Sequence, residues 1–144
     1  MSDRSYPARP ILAVSTAVIR DGRVLLAQRA NPPGAGLYSL PGGLVEIGET
    51  LAEAAARELM EEVAVTAAPI GICGARDIIL RDQDGRIARH FVVLCYAARW
   101  IAGDGTLSPE AADIRWMLPA EVRDVPVTDG LVDIVAAAFT LAGA

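Results

Sequence analysis

The sequence predicts a layered α/β fold with a mixed central sheet and two main helices. Short runs rich in β-branched and apolar residues recur along the chain, which is typical of strands. Two longer segments, 50–63 and 128–142, instead carry apolar residues at helical spacing. Strands separate these two segments in the sequence. This alternation favours a layered α/β domain over an all-helical or all-β one.

The first half of the chain begins with a predicted hairpin. Residues 11–20 form an apolar, β-branched run that stops at Asp21-Gly22, a dipeptide typical of hairpin turns. Residues 23–30 are then the partner strand. The run 31–36 contains two prolines and two glycines, so we expect a surface loop. A short apolar strand at 37–40 follows it.

The first helix is predicted to begin after Thr50 and to run to about Val63. Pro41-Gly42-Gly43 ends the preceding strand, because these residues restrict or free the backbone. Thr50 is a candidate N-cap, and Glu53 stands three residues later, as in a capping box. At 100° per residue, one side of this helix is predicted to face the core; its members are Ala52, Ala56, Leu59, Met60 and Val63.

The second half is predicted to contain three strands and a helix. Pro69 and Gly71 predict a break before a strand at 72–80. Residues 90–100 are almost all apolar, which predicts a strand with both faces covered, at the centre of the sheet. A short strand is expected at 114–118. The last helix has Thr128 as its N-cap candidate and apolar residues at helical spacing, namely Leu131, Ile134, Val135 and Ala138.

Length and composition predict one soluble domain over residues 1–144. The chain is 53% hydrophobic, but no run of about 18 apolar residues is present, so we expect no membrane span. The first ten residues lack the apolar region of a secretory signal, which favours the cytoplasm. Cys73 and Cys95 lie in strand-like runs and are predicted to be free core residues.

The net charge of −5 argues against nucleic acid as a partner, because such binding depends on clustered Lys and Arg. An acidic protein that binds an anionic substrate needs help, most simply a bound cation. The first helix offers a place for one. Glu58, Glu61 and Glu62 fall within an arc of roughly 100° on that helix. Three close carboxylates repel unless a cation lies among them, and Mg²⁺ prefers such oxygen ligands. The competing interpretation is a solvated acidic face relieved by Arg57.

The wider spacing decides between these interpretations. Gly43 is followed after five residues by Glu49, and after seven more by Arg57-Glu58-Leu59; Glu61-Glu62 then precede Ala64-Val65 at one-residue intervals. This pattern resembles the box of the Nudix hydrolases, and it matches every defining position except Ala64, where the family has glycine. A helix-ending glycine adopts a left-handed backbone, so alanine is expected to bend the helix end slightly without removing a ligand.

The resemblance covers roughly residues 12–140. It includes SLPGG ahead of the box, and it is strongest to the ADP-ribose pyrophosphatase branch. It implies a Nudix-type α/β/α sandwich. It also implies that Glu58, Glu61 and Glu62, with the Gly42 carbonyl, bind Mg²⁺ or Mn²⁺. Glu49 and Arg57 would form the internal ion pair of the box, in which the guanidinium holds the carboxylates ionised.

The resemblance also implies a general base, for which Glu58, Glu61 and Glu110 are candidates. Glu110 lies in the loop before the strand at 114–118, and Asp113 is the nearest other candidate for the general base. The alternative interpretation of Glu110 is structural: it would be an acid at a helix N-terminus after Ser108-Pro109. Arg29 ends a strand near the proline loop and is a candidate for gripping a phosphate. His90 is expected to be structural. Two aromatic side chains could stack on a base but are expected to be core; these are Tyr38 and Phe91.

The sequence therefore predicts a Mg²⁺-dependent pyrophosphohydrolase whose partner is a small nucleotide. ADP-ribose, cleaved to AMP and ribose 5-phosphate, is the preferred substrate. Oxidised or ordinary nucleoside triphosphates, cleaved with release of pyrophosphate, are the alternative. A non-catalytic nucleotide sensor is a different class of function, and it is disfavoured because such domains usually lose acids of the box. A structural domain with an acidic helix is a third option. A homodimer is compatible with the family, but no sequence feature marks an interface.

Overall fold

A computed structural model describes residues 4–143 of the chain. One seven-stranded mixed sheet lies between two helices. The strands are β1 (Ile11–Arg20), β2 (Arg23–Arg29), β3 (Tyr38–Ser39), β4 (Gly42–Leu44), β5 (Thr66–Arg81), β6 (Ile87–Ala102) and β7 (Ala111–Met117). The helices are α1 (Leu51–Val63) and α2 (Leu131–Ala142), and a 3-10 helix covers Pro119–Asp124.

The sheet has the strand order β3-β2-β1-β6-β5, with β4 paired to β1 and β7 paired to β2. β1 and β6 run parallel, and the other pairs are antiparallel, which makes the sheet mixed as predicted. β1 pairs with β2 near its end, at Ile19 and Arg20, and with β4 near its start, at 13–15. β1 therefore has different partners along the two halves of this edge.

Side chains of the buried strands alternate between the two faces of the sheet and fill the core on both faces. One set of side chains packs under α1 and includes Val14, Val18 and Leu25. The other set packs under α2 and includes Ala17, Ile19 and Leu26. Because successive strand residues point to opposite faces, a run such as ILAVSTAVIR supplies both cores at once. The predicted layered α/β architecture is confirmed. Within residues 4–143, no helix has the length and apolar content needed to span a membrane.

The predicted first hairpin and the second helix's apolar side are confirmed. β1 has the predicted bounds, and Asp21 and Gly22 both have positive φ, at 49° and 76°. The four apolar residues assigned to the buried side of α2 are all buried. The N-cap assignment was wrong, since α2 begins at Leu131 with Gly130 as its cap. Thr128 instead accepts a backbone hydrogen bond from Leu131.

Three other expectations about elements were wrong. β5 does not break at Pro69 and Gly71 but runs through both, because shifts in its register with β6 absorb them. β6 lies between β1 and β5, and β1 is the middle strand; only part of β6 is buried, at Cys95, Ala97 and Ala98. Gly42 and Gly43 do not end a strand but begin β4.

The two cysteines are free, as expected. Cys95 is buried, whereas Cys73 is only half-buried and donates its Sγ–H to the Cys95 carbonyl at 3.3 Å. Burial raises the pKa of the Cys73 thiol to about 11.

Candidate active site

Helix α1 begins and ends on specific local interactions. The Thr50 hydroxyl accepts a hydrogen bond from the Glu53 amide at 3.1 Å, and the Glu53 carboxylate accepts one from the Thr50 amide at 3.0 Å. This is the predicted capping box. At the other end, Ala64 has φ 56° and ψ 43°, the left-handed conformation that glycine usually supplies, and its amide donates to the Met60 carbonyl. Alanine therefore adopts the glycine geometry at this position.

The core side of α1 differs from the prediction. Leu59 and Val63 are buried as expected, but Ala56 and Met60 are exposed. Ala54 and Ala55 are buried in their place. The helix is rotated so that two of its acids face the sheet: the Glu58 side chain is 12% exposed, and Glu62 is half-buried. Of the three clustered acids, only Glu61, at 59% exposed, projects into solvent.

Two glycines of β4 make room for these acids. A Cβ on Gly43 would lie 2.3 Å from the Glu58 carboxyl carbon, so a larger residue would displace that carboxylate. A Cβ on Gly42 would lie 2.1 Å from the Val14 carbonyl oxygen. The Gly42 amide donates to Glu62 Oε2 at 2.9 Å. The backbone of β4 therefore lies against both buried carboxylates of α1.

Arg57 organises the acids on the other side. Its Nε and Nη2 donate to the two Glu49 oxygens at 2.7 and 2.9 Å, a two-bond ion pair. Nη2 also donates to the Leu44 carbonyl, which ties α1 to β4. Nη1 donates to Glu58 at 2.9 Å and to Glu61 at 3.2 Å. One guanidinium thus contacts three of the glutamates selected from the sequence.

The acids that face the sheet have raised pKa values. Burial raises the pKa of Glu58, against the opposing effect of Arg57. Burial, together with the negative charges of Glu110 and Glu58, raises the pKa of Glu62 to about 7, although the Gly42 amide and Arg29 oppose the shift. A neighbouring cation would lower these pKa values. No group of three His, Cys, Asp or Glu side chains within residues 4–143 is already arranged to hold a metal ion, since Arg57 draws Glu58 and Glu61 towards itself.

These acids line a cleft of about 490 Å³ together with Arg29 and Glu110. Arg29 donates its Nε–H to the Pro33 carbonyl at 2.8 Å, which holds the side chain beside the proline loop. The Ala30 amide donates to the Glu110 carbonyl, and the Asn31 side chain donates to the Pro109 carbonyl. The loop that carries Glu110 is therefore attached to the loop that follows Arg29.

The structure places Glu110 in the cleft but not Asp113, the other candidate for the general base. The Asp113 carboxylate accepts hydrogen bonds from the Tyr38 hydroxyl and from Arg115, and Asp113 does not line the cleft. Tyr38 is 4% exposed and belongs to the core, as expected. The alternative for Glu110, a helix N-terminus after Ser108-Pro109, is wrong; the Ser108 hydroxyl accepts from the amides of Glu110 and Ala111, where β7 begins. His90 also lies outside the cleft.

Sequence reasoning missed part of the cleft. Alternate residues of β5 and β6 line it, including Arg76, Arg89 and Phe91. Phe91, expected to be core, belongs to none of the core clusters of residues 4–143 and faces the cleft instead. The signal was present in the sequence, because residues two apart on a strand share a face. That this shared face lines the cleft is decided by the tertiary structure.

A sequence profile of the NUDIX domain matches residues 9–137. The chain belongs to the Nudix hydrolase family. This family acts on phosphoric anhydrides. The acids of α1 and the glycines of β4 are therefore the Nudix box seen in three dimensions, and the predicted family membership and fold are confirmed.

Three known proteins illustrate how this Nudix hydrolase relates to others. The ADP-ribose pyrophosphatase of Methanocaldococcus jannaschii is 34% identical over 74% of this chain and 63% of its own length. The CTP pyrophosphohydrolase of Escherichia coli is 31% identical over 93% of this chain and 95% of its own length. Among solved structures, the NUDIX domain of Shewanella oneidensis NrtR, complexed with ADP ribose, has a TM-score of 0.71 at 25% identity and aligns over 92% of this chain and 88% of its own.

Proposed function

We propose that this Nudix hydrolase is a divalent-metal-dependent pyrophosphohydrolase that cleaves a nucleoside diphosphate linked to another group. ADP-ribose, cleaved to AMP and ribose 5-phosphate, is the leading substrate. One observation carries the proposal: Glu58 and Glu62 are held against a glycine backbone in the same cleft as Glu110 and Arg29. The relationship to an ADP-ribose pyrophosphatase, and to a domain solved with ADP ribose, supports the choice of substrate.

The donor set suits a hard divalent cation. Glu58, Glu61 and Glu62 are carboxylates on successive turns of one helix, and the backbone of Gly42 lies beside Glu62. Mg²⁺ and Mn²⁺ prefer such oxygen ligands. Burial raises the pKa of Glu62 to about 7, and a cation bound beside it would oppose that shift. A bound metal ion would supply charge neutralisation at the phosphate oxygens and would lower the pKa of the attacking water.

The residues of the chain have separate tasks in this proposal. Arg57 donates a hydrogen bond to the Glu58 carboxylate and holds it in place. Arg29 can grip a phosphate, because its Nη atoms donate no hydrogen bond within residues 4–143 while its Nε is held by Pro33. Glu110 is our preferred acceptor for the proton of the attacking water, since it lies in the cleft close enough to Glu62 to raise that residue's pKa.

A second substrate class has its own support. The relative named CTP pyrophosphohydrolase aligns over nearly its whole length, whereas this chain covers only 63% of the ADP-ribose pyrophosphatase. A nucleoside triphosphate, cleaved to the monophosphate and pyrophosphate, is therefore the alternative. The sensor hypothesis has less support, because every acid of the box is present in the sequence and three of them meet at Arg57.

A substrate panel tests the proposal. The full chain is incubated with Mg²⁺ and ADP-ribose, CTP, GTP or an oxidised guanosine triphosphate, and the products are identified by chromatography. We expect AMP and ribose 5-phosphate from ADP-ribose; a monophosphate with pyrophosphate would instead support the alternative. EDTA should stop either reaction. Turnover of no compound would contradict the proposed function.

Glu61→Gln and Glu110→Gln test the assigned roles. Glu61 is mostly exposed, so its replacement should leave the fold intact while it lowers kcat by at least about 100-fold.

Loss of a general base at Glu110 should lower kcat by about 10²–10⁴-fold and flatten the acidic limb of the pH profile. Asp133→Asn, an exposed acid on α2, is the matched control and should retain full activity. Undiminished turnover by Glu61→Gln would refute its role.

A further inference from the structure

Phe91 is an aromatic side chain on the wall of the cleft rather than in the core. The chain contains two phenylalanines. Phe139 of α2 is 6% exposed and belongs to the core under that helix. Phe91 of β6 is half-buried and lines the cleft, and no other aromatic side chain of residues 4–143 lines it. The ring therefore lies where a ligand in the cleft can reach it.

The core on this face of β6 ends one position before Phe91. Cys95 and Val93 share the face of Phe91, because they are two and four residues from it on the same strand. Cys95 is a core residue and Val93 packs against that core, whereas Phe91 belongs to none of the core clusters of residues 4–143. Its cross-strand partner, Ile78 of β5, also lines the cleft and is also outside these clusters. Because opposite side chains on paired strands contact each other, Ile78 supports one edge of the ring.

The strand register places Phe91 at a distance from the acids that one nucleotide can span. The Glu58 carboxylate packs against Gly43. Gly43 is the register partner of Val14, and Val14 is the partner of Leu94 on β6. Two strand spacings thus separate Gly43 from Leu94, and three residues of β6 separate Leu94 from Phe91; each step is about 10 Å. The Cα atoms of Gly43 and Phe91 are therefore about 14 Å apart. The ribose and two phosphates of a nucleoside diphosphate extend over a comparable length.

We propose that Phe91 stacks on the base of the nucleotide while its phosphates bind at the acidic end of the cleft, beside Glu58 and Glu62. This inference rests on the proposed function and deepens it, because it assigns the residue that holds the base. A phenylalanine ring has no hydrogen-bonding group, so it recognises the flat face of a base and not its edge. Phe91 therefore selects nucleotides over sugar phosphates that lack a base, and it accepts more than one base.

Binding of phosphates with and without a base tests the stacking and does not require turnover. Calorimetry in the presence of Mg²⁺ compares ribose 5-phosphate with AMP, GMP and CMP. We expect at least one nucleotide to bind at least about fivefold more tightly than ribose 5-phosphate, since stacking on an aromatic side chain contributes that much or more. Phe91→Leu keeps an apolar side chain but removes the ring, so it should lower this preference at least about threefold. Phe91→Tyr is the matched control, because it retains the ring and should keep the preference.

Ribose 5-phosphate reports on the fold of both variants, since its affinity should not change in either. Equal affinity of the wild-type protein for ribose 5-phosphate and all three nucleotides would overturn the proposal and needs no variant. A preference that Phe91→Leu retains in full would overturn it as well, as would an equal loss in Phe91→Leu and Phe91→Tyr.

Turnover of ADP-ribose and CTP, measured in parallel, separates this proposal from the proposed function. Turnover of neither compound, together with a preference that depends on the ring, would contradict the hydrolysis and still support the stacking. Equal kcat/KM in wild-type protein and Phe91→Leu would contradict the stacking and leave the hydrolysis supported.

Discussion

Arg57 shows how much of the site depends on a single side chain. It binds Glu49 through two hydrogen bonds, reaches the Leu44 carbonyl and contacts two further glutamates of α1. Exposed ion pairs contribute little on their own, but this guanidinium is only 24% exposed and belongs to a network. The network fixes the positions of Glu49, Glu58 and Glu61 around one guanidinium. Replacing Arg57 would therefore disturb both β4 and the acidic end of the cleft.

Glu49 gives this network a pH dependence. Hydrogen bonds from Arg57, and then from the Glu46 amide, lower the pKa of Glu49 from 4.5 to about 2. A carboxylate whose folded pKa is depressed stabilises the fold above its unfolded pKa. That contribution is lost as the pH falls from about 4.5 towards about 2. We expect Glu49→Gln to lower the free energy of unfolding at pH 7 and to weaken its pH dependence in this window, measured by urea unfolding at several pH values.

Asp84→Asn is the control for this experiment. Asp84 lies in the exposed turn between β5 and β6, and its side chain makes no hydrogen bond or ion pair within residues 4–143. Its replacement should leave the pH profile of stability unchanged. Identical pH profiles of stability for Glu49→Gln and wild-type protein would show that the Glu49–Arg57 ion pair makes no net contribution to the free energy of unfolding.

At the scale of elements, the C-terminal end of α1 explains the departure from the family pattern. Ala64 has a positive φ of 56°, which costs a residue with a Cβ about 1–2 kcal/mol. The loop after β6 packs closely against this helix end. A Cβ on Gly103 would lie 2.4 Å from the Ala64 carbonyl oxygen, and the Thr106 amide donates to the Val63 carbonyl. The helix end is therefore held by the following loop, and alanine is tolerated there at a cost in strain.

Ala64→Gly should relieve this strain. Glycine adopts a positive φ freely, although it also gains entropy in the unfolded chain, so we expect a net stabilisation of up to about 1 kcal/mol. Thermal and urea unfolding measure the change. Ala56→Gly is the control, because Ala56 is exposed in the middle of the same helix; there glycine should destabilise by about 1 kcal/mol. Destabilisation by both substitutions would refute the strain at Ala64.

At the scale of the whole molecule, the cleft is lined by both acidic and basic side chains. Glu58, Glu62 and Glu110 line it, and so do Arg76 of β5 and Arg89 of β6. The protein carries a net charge of −5, and a cation bound among the acids would reduce their repulsion of an anionic substrate. We expect folding and metal binding to be coupled, because a ligand that binds only the folded state stabilises it.

A thermal shift measures that coupling. Mg²⁺ or Mn²⁺ should raise the Tm, with about 2.7 kcal/mol of stabilisation at a concentration 100 times the Kd, and EDTA should reverse the change. Glu62→Gln should reduce the shift, because it removes a charged oxygen ligand. Asp133→Asn should retain the shift. A wild-type protein with no metal-dependent shift, or a Glu62→Gln variant with a full one, would contradict the metal site.

Much of the fold was predictable because it depends on local chemistry. The hairpin at Asp21-Gly22 and the capping box of α1 require only residues close in sequence. The breaks predicted in β5 failed for the opposite reason: Pro69 and Gly71 are poor strand residues, but pairing with β6 along 14 residues outweighs this local preference. The centre of the sheet was misplaced because an apolar composition does not show which strands become neighbours.

The sequence by itself determined the chemistry of this protein, since the spacing of the Nudix box gathers acids, an arginine and glycines within one helix and the strand before it. The tertiary structure decided where those groups point. Packing of α1 against Gly42 and Gly43 buried Glu58 and Glu62 and left Met60 exposed, although helical periodicity predicted the reverse for Met60. It also brought Arg76 and Phe91 into the cleft. Long-range strand pairing, which local propensity does not encode, sets both outcomes.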